Sequence, residues 1–247
     1  MKLSRYIQIE TRRQAQMERL FTTRIRQALK VQFESWKETG DIGNAMQATL
    51  SELYERFLLD GLQRQWQQFE RGNITKRDRF FIPWQLWTKQ YIQGELADKI
   101  TNIDNTTRAE IAKVTTDAVA AGETITEIAN RVDRAMNGAA GRARARMIGR
   151  TEAGEAINVA KAKSSDEWEA ESGDRQGKIW INRGSKNPRD WHQYLDTGVP
   201  IPKDSPFIVT DPNTGITDEM QYPHDPSASA GNVINCGCQI VYLPLDD

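Results

Sequence analysis

The sequence predicts an α+β fold, with a helical N-terminal two thirds followed by a small, loop-rich C-terminal α/β module that ends in a Cys-x-Cys strand. Three observations predict it. Apolar residues recur at helical spacing through most of the first two thirds. Beyond that, Pro200, Pro202, Pro206, Pro212, Pro223 and Pro226 punctuate short runs of strand character. The two histidines and two cysteines, His192, His224, Cys236 and Cys238, all fall in the last quarter.

Met17, Leu20, Phe21, Ile25, Ala28, Leu29 and Trp36 lie on one face of a first helix. After a break at Gly40-Asp41, Met46, Leu50, Leu53, Tyr54, Phe57, Leu58 and Leu62 mark a second, so the two form an antiparallel pair. Gln63 to Gln68 extends the second helix with polar surface, and Arg71 to Arg79 reads as an exposed connector. Phe80, Phe81, Trp84, Trp87 and Tyr91 then supply core rings for a helix that Pro83 can start. Asn105 is a candidate cap for a helix that stops at Gly122. Thr124-Ile-Thr-Glu127 is a capping box for the next, which ends at Gly138-Ala-Ala-Gly141.

A long helix is expected from Arg142 to about Glu171, with arginines in its first turns and Asp166, Glu167, Glu169 and Glu171 late. That order opposes the helix macrodipole, which implies that these charges answer to contacts elsewhere. Lys178 to Asn182 reads as a short strand, Asn187 to Leu195 as one or two helical turns, and Asn232 to Tyr242 as the cysteine-bearing strand. The predicted organisation is a helical, partner-binding region over 1–100 and a second domain over 101–247, helical over 101–172 and mixed over 173–247.

With 38% apolar residues and a mean hydropathy of -0.67, much of the surface must be solvent-facing or partner-facing. The chain contains no apolar run of membrane-spanning length and its start lacks a signal-peptide pattern, so no membrane partner and a cytoplasmic site of assembly are expected. Residues 1–80 carry fifteen Lys or Arg against ten Asp or Glu, and the rest eighteen against twenty-four. The basic half, together with Arg142, Arg144 and Arg146, is a candidate for non-specific DNA contact; a merely solvated face is the alternative.

His192, His224, Cys236 and Cys238 together make the donor set of a structural Cys2His2 zinc site. Alternate residues of a strand share a face, so Cys236 and Cys238 would point the same way, with Gly237 between them. Such a pair suits shared metal ligation and disfavours a mutual disulfide. The alternative is two reduced cysteines packed as small hydrophobes, with the histidines hydrogen-bonded separately.

Ile148-Gly-Arg-Thr-Glu152, Asn158, Lys178-Ile-Trp180, Arg189-Asp-Trp-His192, Leu195-Asp-Thr-Gly198, Tyr222-Pro-His-Asp-Pro226 and Ile234-Asn-Cys-Gly-Cys238 follow one another in an order and spacing that resembles the Mu protein F-like family of phage head morphogenesis proteins. The resemblance covers roughly Thr101 to Leu245. It implies a minor head (capsid) protein of a tailed phage, located in the virion at the head interior or portal vertex. Its implied partners are the portal protein and the major capsid or scaffold protein, with a link to DNA packaging or delivery. On this resemblance Arg150, Glu152, Asp190, His192, Asn235, Cys236 and Cys238 form the structural core of the family motif, and no residue is catalytic. The chain departs from the family pattern at Gly237, often Arg, and at His224, frequently Gly. A three-donor or purely hydrogen-bonded core around His192, Cys236 and Cys238 therefore stands beside the four-ligand site.

An enzymatic alternative, a hydrolase or transferase, would combine Cys236 as nucleophile with His192 and Asp190, or with Arg150 and Glu152. Each of these residues also has a structural use: Arg150 and Glu152 can bind backbone ends of the C-terminal module, and Asp190 can orient His192 or cap its turn. The chain has no Gly-rich phosphate loop and no His-Glu-x-x-His helix.

Overall fold

The helical pattern of the first two thirds is realised almost residue for residue in a computed structural model that describes residues 3–70, 77–182 and 188–245. α1 (Leu3–Thr39) and α2 (Ala45–Glu70) form the expected antiparallel pair. Met17, Phe21, Ile25 and Leu29 of α1 are buried against Met46, Leu50, Tyr54, Leu58 and Leu62 of α2. The connector expected at Arg71 to Arg79 lies outside the described residues as far as Lys76, and Arg77 already opens α3 (Arg77–Tyr91).

Pro83 lies inside α3 and does not start it. Packing accounts for the difference: Phe80 and Trp84 both stack around Trp66 of α2, at ring-centroid distances of 4.4 and 5.9 Å, and this burial offsets the backbone hydrogen bond that a mid-helix proline removes. A π-helical turn over Ile92–Leu96 joins α3 to α4 (Ala97–Ala120). Asn105 is therefore interior to a helix already under way and caps nothing. α4 stops before Gly122, whose φ is 72°, and α5 (Ile125–Asn137) opens on Thr124 and Glu127 in a complete capping box.

α6 (Ala139–Ser172) is the axis of the molecule, with every residue from Thr151 to Lys161 buried. α1 and α2 pack along it, and the hydrophobic core runs without interruption from Met17 to Ala160, drawing on both sides of residue 100. Four of the charges that run against its macrodipole are held by other parts of the chain: Arg144 by Glu110, Arg150 by Glu18, and both Asp166 and Glu169 by Lys203. A Cβ on Gly149 would lie 2.7 Å from the backbone nitrogen of Thr22, so glycine there lets α1 and α6 approach.

The C-terminal module follows as β1 (Gln176–Ile181), α7 (Asp190–Gln193), β2 (Ile201–Pro202), β3 (Phe207–Thr210), β4 (Thr217–Met220), α8 (Ala230–Val233) and β5 (Gln239–Pro244). Of the turns expected over Asn187 to Leu195, α7 is the helical part, and Asn187 lies outside the described residues. An antiparallel sheet has the order β2-β1-β5, and β3 and β4 form a separate hairpin. β1 is buried along its whole length because its sheet is covered twice. Ile179, Ile181 and Val241 face Tyr6 and Ile7 of α1, whereas Trp180, Ile240 and Tyr242 join Phe207, Val209, Cys236 and Cys238. No helix among the described residues is long and apolar enough to cross a membrane.

Candidate functional site: a buried histidine and cysteine cluster

Imidazole and thiols converge between α7 and the turn that enters β5. His192 Nδ1 lies 3.5 Å from Cys236 Sγ and 3.7 Å from Cys238 Sγ, and the three donor atoms all fall within 4.8 Å of one another. Their residues are 0, 2 and 1% exposed, and both cysteines are free. β5 begins at Gln239, so the pair sits in the turn just before the strand. Asn235 makes that turn with a φ of 59°, and its N–H is anchored by Thr151 Oγ1 of α6 at 2.8 Å.

Asn232 sets the orientation of the imidazole. Its Nδ2 donates to Asp218 Oδ2 (2.8 Å) and to the Val209 carbonyl (3.3 Å), which fixes its Oδ1 as an acceptor. That oxygen accepts from Trp191 Nε1 at 2.8 Å and faces His192 Nε2 at 3.4 Å. Nε2 must therefore carry the proton, and the Nδ1 lone pair points at the two sulfurs. The Trp180 and Trp191 rings meet the imidazole edge-on at centroid distances of 5.3 and 6.0 Å.

Thiol chemistry is divided unequally between the two cysteines. The hydrogen bond from Cys238 is the largest influence holding the Cys236 thiol well below its ordinary range, and the nearby His224 and His192 rings act the same way. Cys238 is pushed far up by the same hydrogen bond and by burial. The backbone N–H of Cys238 also donates to Cys236 Sγ at 3.4 Å.

His224 is fully buried but outside the three-atom cluster. It adopts a φ of 64°, its ring presses on Gly154 of α6, and neither ring nitrogen has a hydrogen-bond partner among the described residues.

α6 holds the cluster in place through residues that the sequence did not single out for this purpose. Asn158 Oδ1 accepts from the Ile240 N–H (3.0 Å), while its Nδ2 donates to the carbonyls of Pro223 (2.9 Å) and Cys238 (3.4 Å). Lys161 reaches the Ile240 carbonyl at 3.2 Å and pairs with Glu10 of α1 at 2.9 Å. The Lys161 charge holds the Glu10 carboxyl below its usual range against the opposing effect of burial.

Among the described residues, Arg150 and Glu152 engage the N-terminal helices and not the backbone ends of the C-terminal module that the sequence suggests for them. Arg150 meets Glu18 of α1 at 3.4 Å, and Glu152 accepts from Tyr54 of α2 at 2.7 Å. Their places on α6 turn them toward the N-terminal helices. Burial and the neighbouring Glu155 charge raise the Glu152 carboxyl to about 7. Asp190 is exposed and accepts from Gln193 at 3.2 Å, leaving the orientation of His192 to Asn232. Arg144 is committed within the fold to Glu110 (3.1 Å), Thr107 Oγ1 (2.8 Å) and the Ile103 carbonyl (3.0 Å). Of the three candidate DNA-contacting arginines, Arg142 and Arg146 are the exposed ones, with Arg142 also donating to the Asn137 carbonyl at 3.3 Å.

Asn232, Asp218 and Lys161 were missed, and only the resemblance drew attention to Asn158. The available signal was slight: Asn232 stands four residues before Cys236, and an isolated Asn reads as turn chemistry.

The cluster is sealed from solvent and pinned to the central helix by paired polar groups. The family model described as Phage Mu protein F like protein matches residues 109–241, more than half of the chain. The chain belongs to this family of phage head morphogenesis proteins, and the family is a structural one. Comparisons with curated proteins and with solved structures give no match. The matched span contains α6, the whole cluster and the first half of β5, whereas α1 and α2 precede it.

Proposed function

We propose that this chain is a minor head protein of a tailed bacteriophage that joins the portal or the inner shell during head assembly and assists DNA packaging or delivery. The family match over residues 109–241 carries the reading. The use of the motif residues supports it, because Arg150, Glu152, Asn158, His192, Cys236 and Cys238 are all engaged within the fold. The surface of the α1–α2 pair suits an acidic partner: Arg12, Arg13, Arg56 and Arg64 line one groove against the single carboxylate of Asp60.

The test is co-expression with the portal, major capsid and scaffold proteins of the same phage, followed by purification of assembled heads. Stoichiometric recovery of the chain in a few copies per head, with capture by the isolated portal or by shells lacking it, supports the proposal. Its absence from complete heads rejects it. Exposure of Arg142 and Arg146 at the start of α6 favours a second reading, non-specific contact with packaged DNA. A binding titration whose slope against salt is near zero would remove it.

A further inference from the structure

We propose that His192, Cys236 and Cys238 bind one structural zinc ion, with His224 as the fourth donor. A tetrahedral zinc with bonds of about 2.3 Å to sulfur and 2.0–2.1 Å to nitrogen separates its sulfur and nitrogen ligands by about 3.6 Å. The two sulfur-to-imidazole distances are 3.5 and 3.7 Å. The two imidazole-to-sulfur edges thus already match that tetrahedron, and the two sulfurs lie within 4.8 Å of each other.

The surroundings of the donors support metal over simple packing. The chain Asp218, Asn232, His192 leaves the Nδ1 lone pair free toward the sulfurs, the relation by which an outer acceptor orients a ligating imidazole. The Cys238 N–H on Cys236 Sγ is a donor suited to a coordinated thiolate. Packing alone leaves His224 unexplained. It is fully buried at a φ of 64°, with both ring nitrogens lacking partners among the described residues, and an unmet buried polar group costs about 1–3 kcal/mol. Two buried, unpartnered ring nitrogens are accounted for if one of them donates to an ion held by the cluster.

Charge and softness select the ion. Two thiolates, two neutral imidazoles and a divalent cation sum to zero, so the closed site buries no net charge. Sulfur and nitrogen donors favour zinc over magnesium or calcium. The ion would tie α7, the loop after β4 and the turn before β5 into one unit, the role expected of a staple in a module with so little regular structure. This inference stands apart from the phage assignment, and either can fail without the other.

The experiment uses the full chain, expressed with zinc in the medium and purified without chelator. About one zinc per chain is expected by elemental analysis. Replacement by cobalt should give the visible bands of a tetrahedral ion and a near-ultraviolet thiolate-to-cobalt band. His224→Gln should keep the thiolate band, shift the visible bands and weaken binding, and Asn232→Ala should weaken binding by about 10–100-fold. A folded wild-type chain with no stoichiometric zinc and no tetrahedral cobalt spectrum overturns the proposal and leaves a hydrogen-bonded thiol and imidazole core. An unchanged cobalt spectrum in a folded His224→Gln variant overturns the assignment of the fourth donor.

Discussion

Gly154 and His224 compete for the same space: a Cβ built on Gly154 would lie 2.3 Å from His224 Nε2 and 2.7 Å from Cε1. α6 therefore carries a glycine, at a helix-propensity cost of about 1 kcal/mol relative to alanine, where the C-terminal module rests on it. Gly154→Ala should lower stability by about 2–3 kcal/mol despite the better helix former, because a fully buried ring has to move. Urea denaturation of the single variants and of Gly154→Ala combined with His224→Ala gives the check. The penalty should largely disappear in the double variant; if it persists there, the clash is not its source.

Asn158 acts as a short strand partner for the entry to β5, offering an acceptor to Ile240 and donors to Cys238 and Pro223. Asn158→Ala strands three buried backbone groups and should cost about 2–4 kcal/mol. Asn158→Asp keeps the acceptor but turns a charge toward two carbonyls, so it should be no better than alanine. Amide exchange reports this locally: the Ile240 N–H should lose protection in Asn158→Ala by more than amides of α2 do.

Much of this fold could be read from the sequence where one local rule acted unopposed. The Thr124 capping box, the stop before Gly122 and the 3.6-residue spacing of Met17, Phe21, Ile25 and Leu29 needed no tertiary information. Local rules failed where packing overrode them. Pro83 suggested a helix start until Phe80 was held by Trp66, and Asn105 suggested a cap in a helix that had already begun. The branched run before Cys236 looked like strand, but Val233 closes α8 and Asn235 turns through a positive φ. In the site, the Cys and His residues stood out because such donors are scarce in this chain. Asn232 and Asp218 did not, since which acceptor orients an imidazole is decided only when the β3–β4 hairpin packs against α7.

Lys178 gives a prediction for alkaline pH. It is 1% exposed, its Nζ reaches Gln221 O and Oε1 at 2.9 and 2.7 Å, and burial lowers it from 10.5 to about 8. Between those values the unfolded chain binds more protons than the folded one, so stability should rise with pH across the window and be lost as pH falls through about 8. The change should be about 1–2 kcal/mol, less than the full shift would give, because exposed Gln221 brings the ammonium close to water. Denaturation midpoints from pH 7 to 11 should show the rise in the wild type and a flatter profile in Lys178→Met. An equally steep profile in both would assign the effect to other groups.

Arg144 separates a structural from a DNA-binding use of the arginines at the start of α6. Its guanidinium meets a carboxylate, a hydroxyl and a carbonyl on one face of α4, a pattern that a planar fork satisfies and a single ammonium does not. Arg144→Lys should therefore lose about 1–2 kcal/mol, and Arg144→Ala somewhat more, because Glu110 and the Ile103 carbonyl lose their common partner. Removing the exposed pair with Arg142→Ala and Arg146→Ala should change stability by less than about 0.5 kcal/mol each. The discriminating measurement couples thermal melts to DNA-binding titrations on all four variants. Arg144 variants that melt early with an unchanged salt slope place this residue in the fold. A reduced slope with unchanged melting would instead move it to the DNA-facing surface.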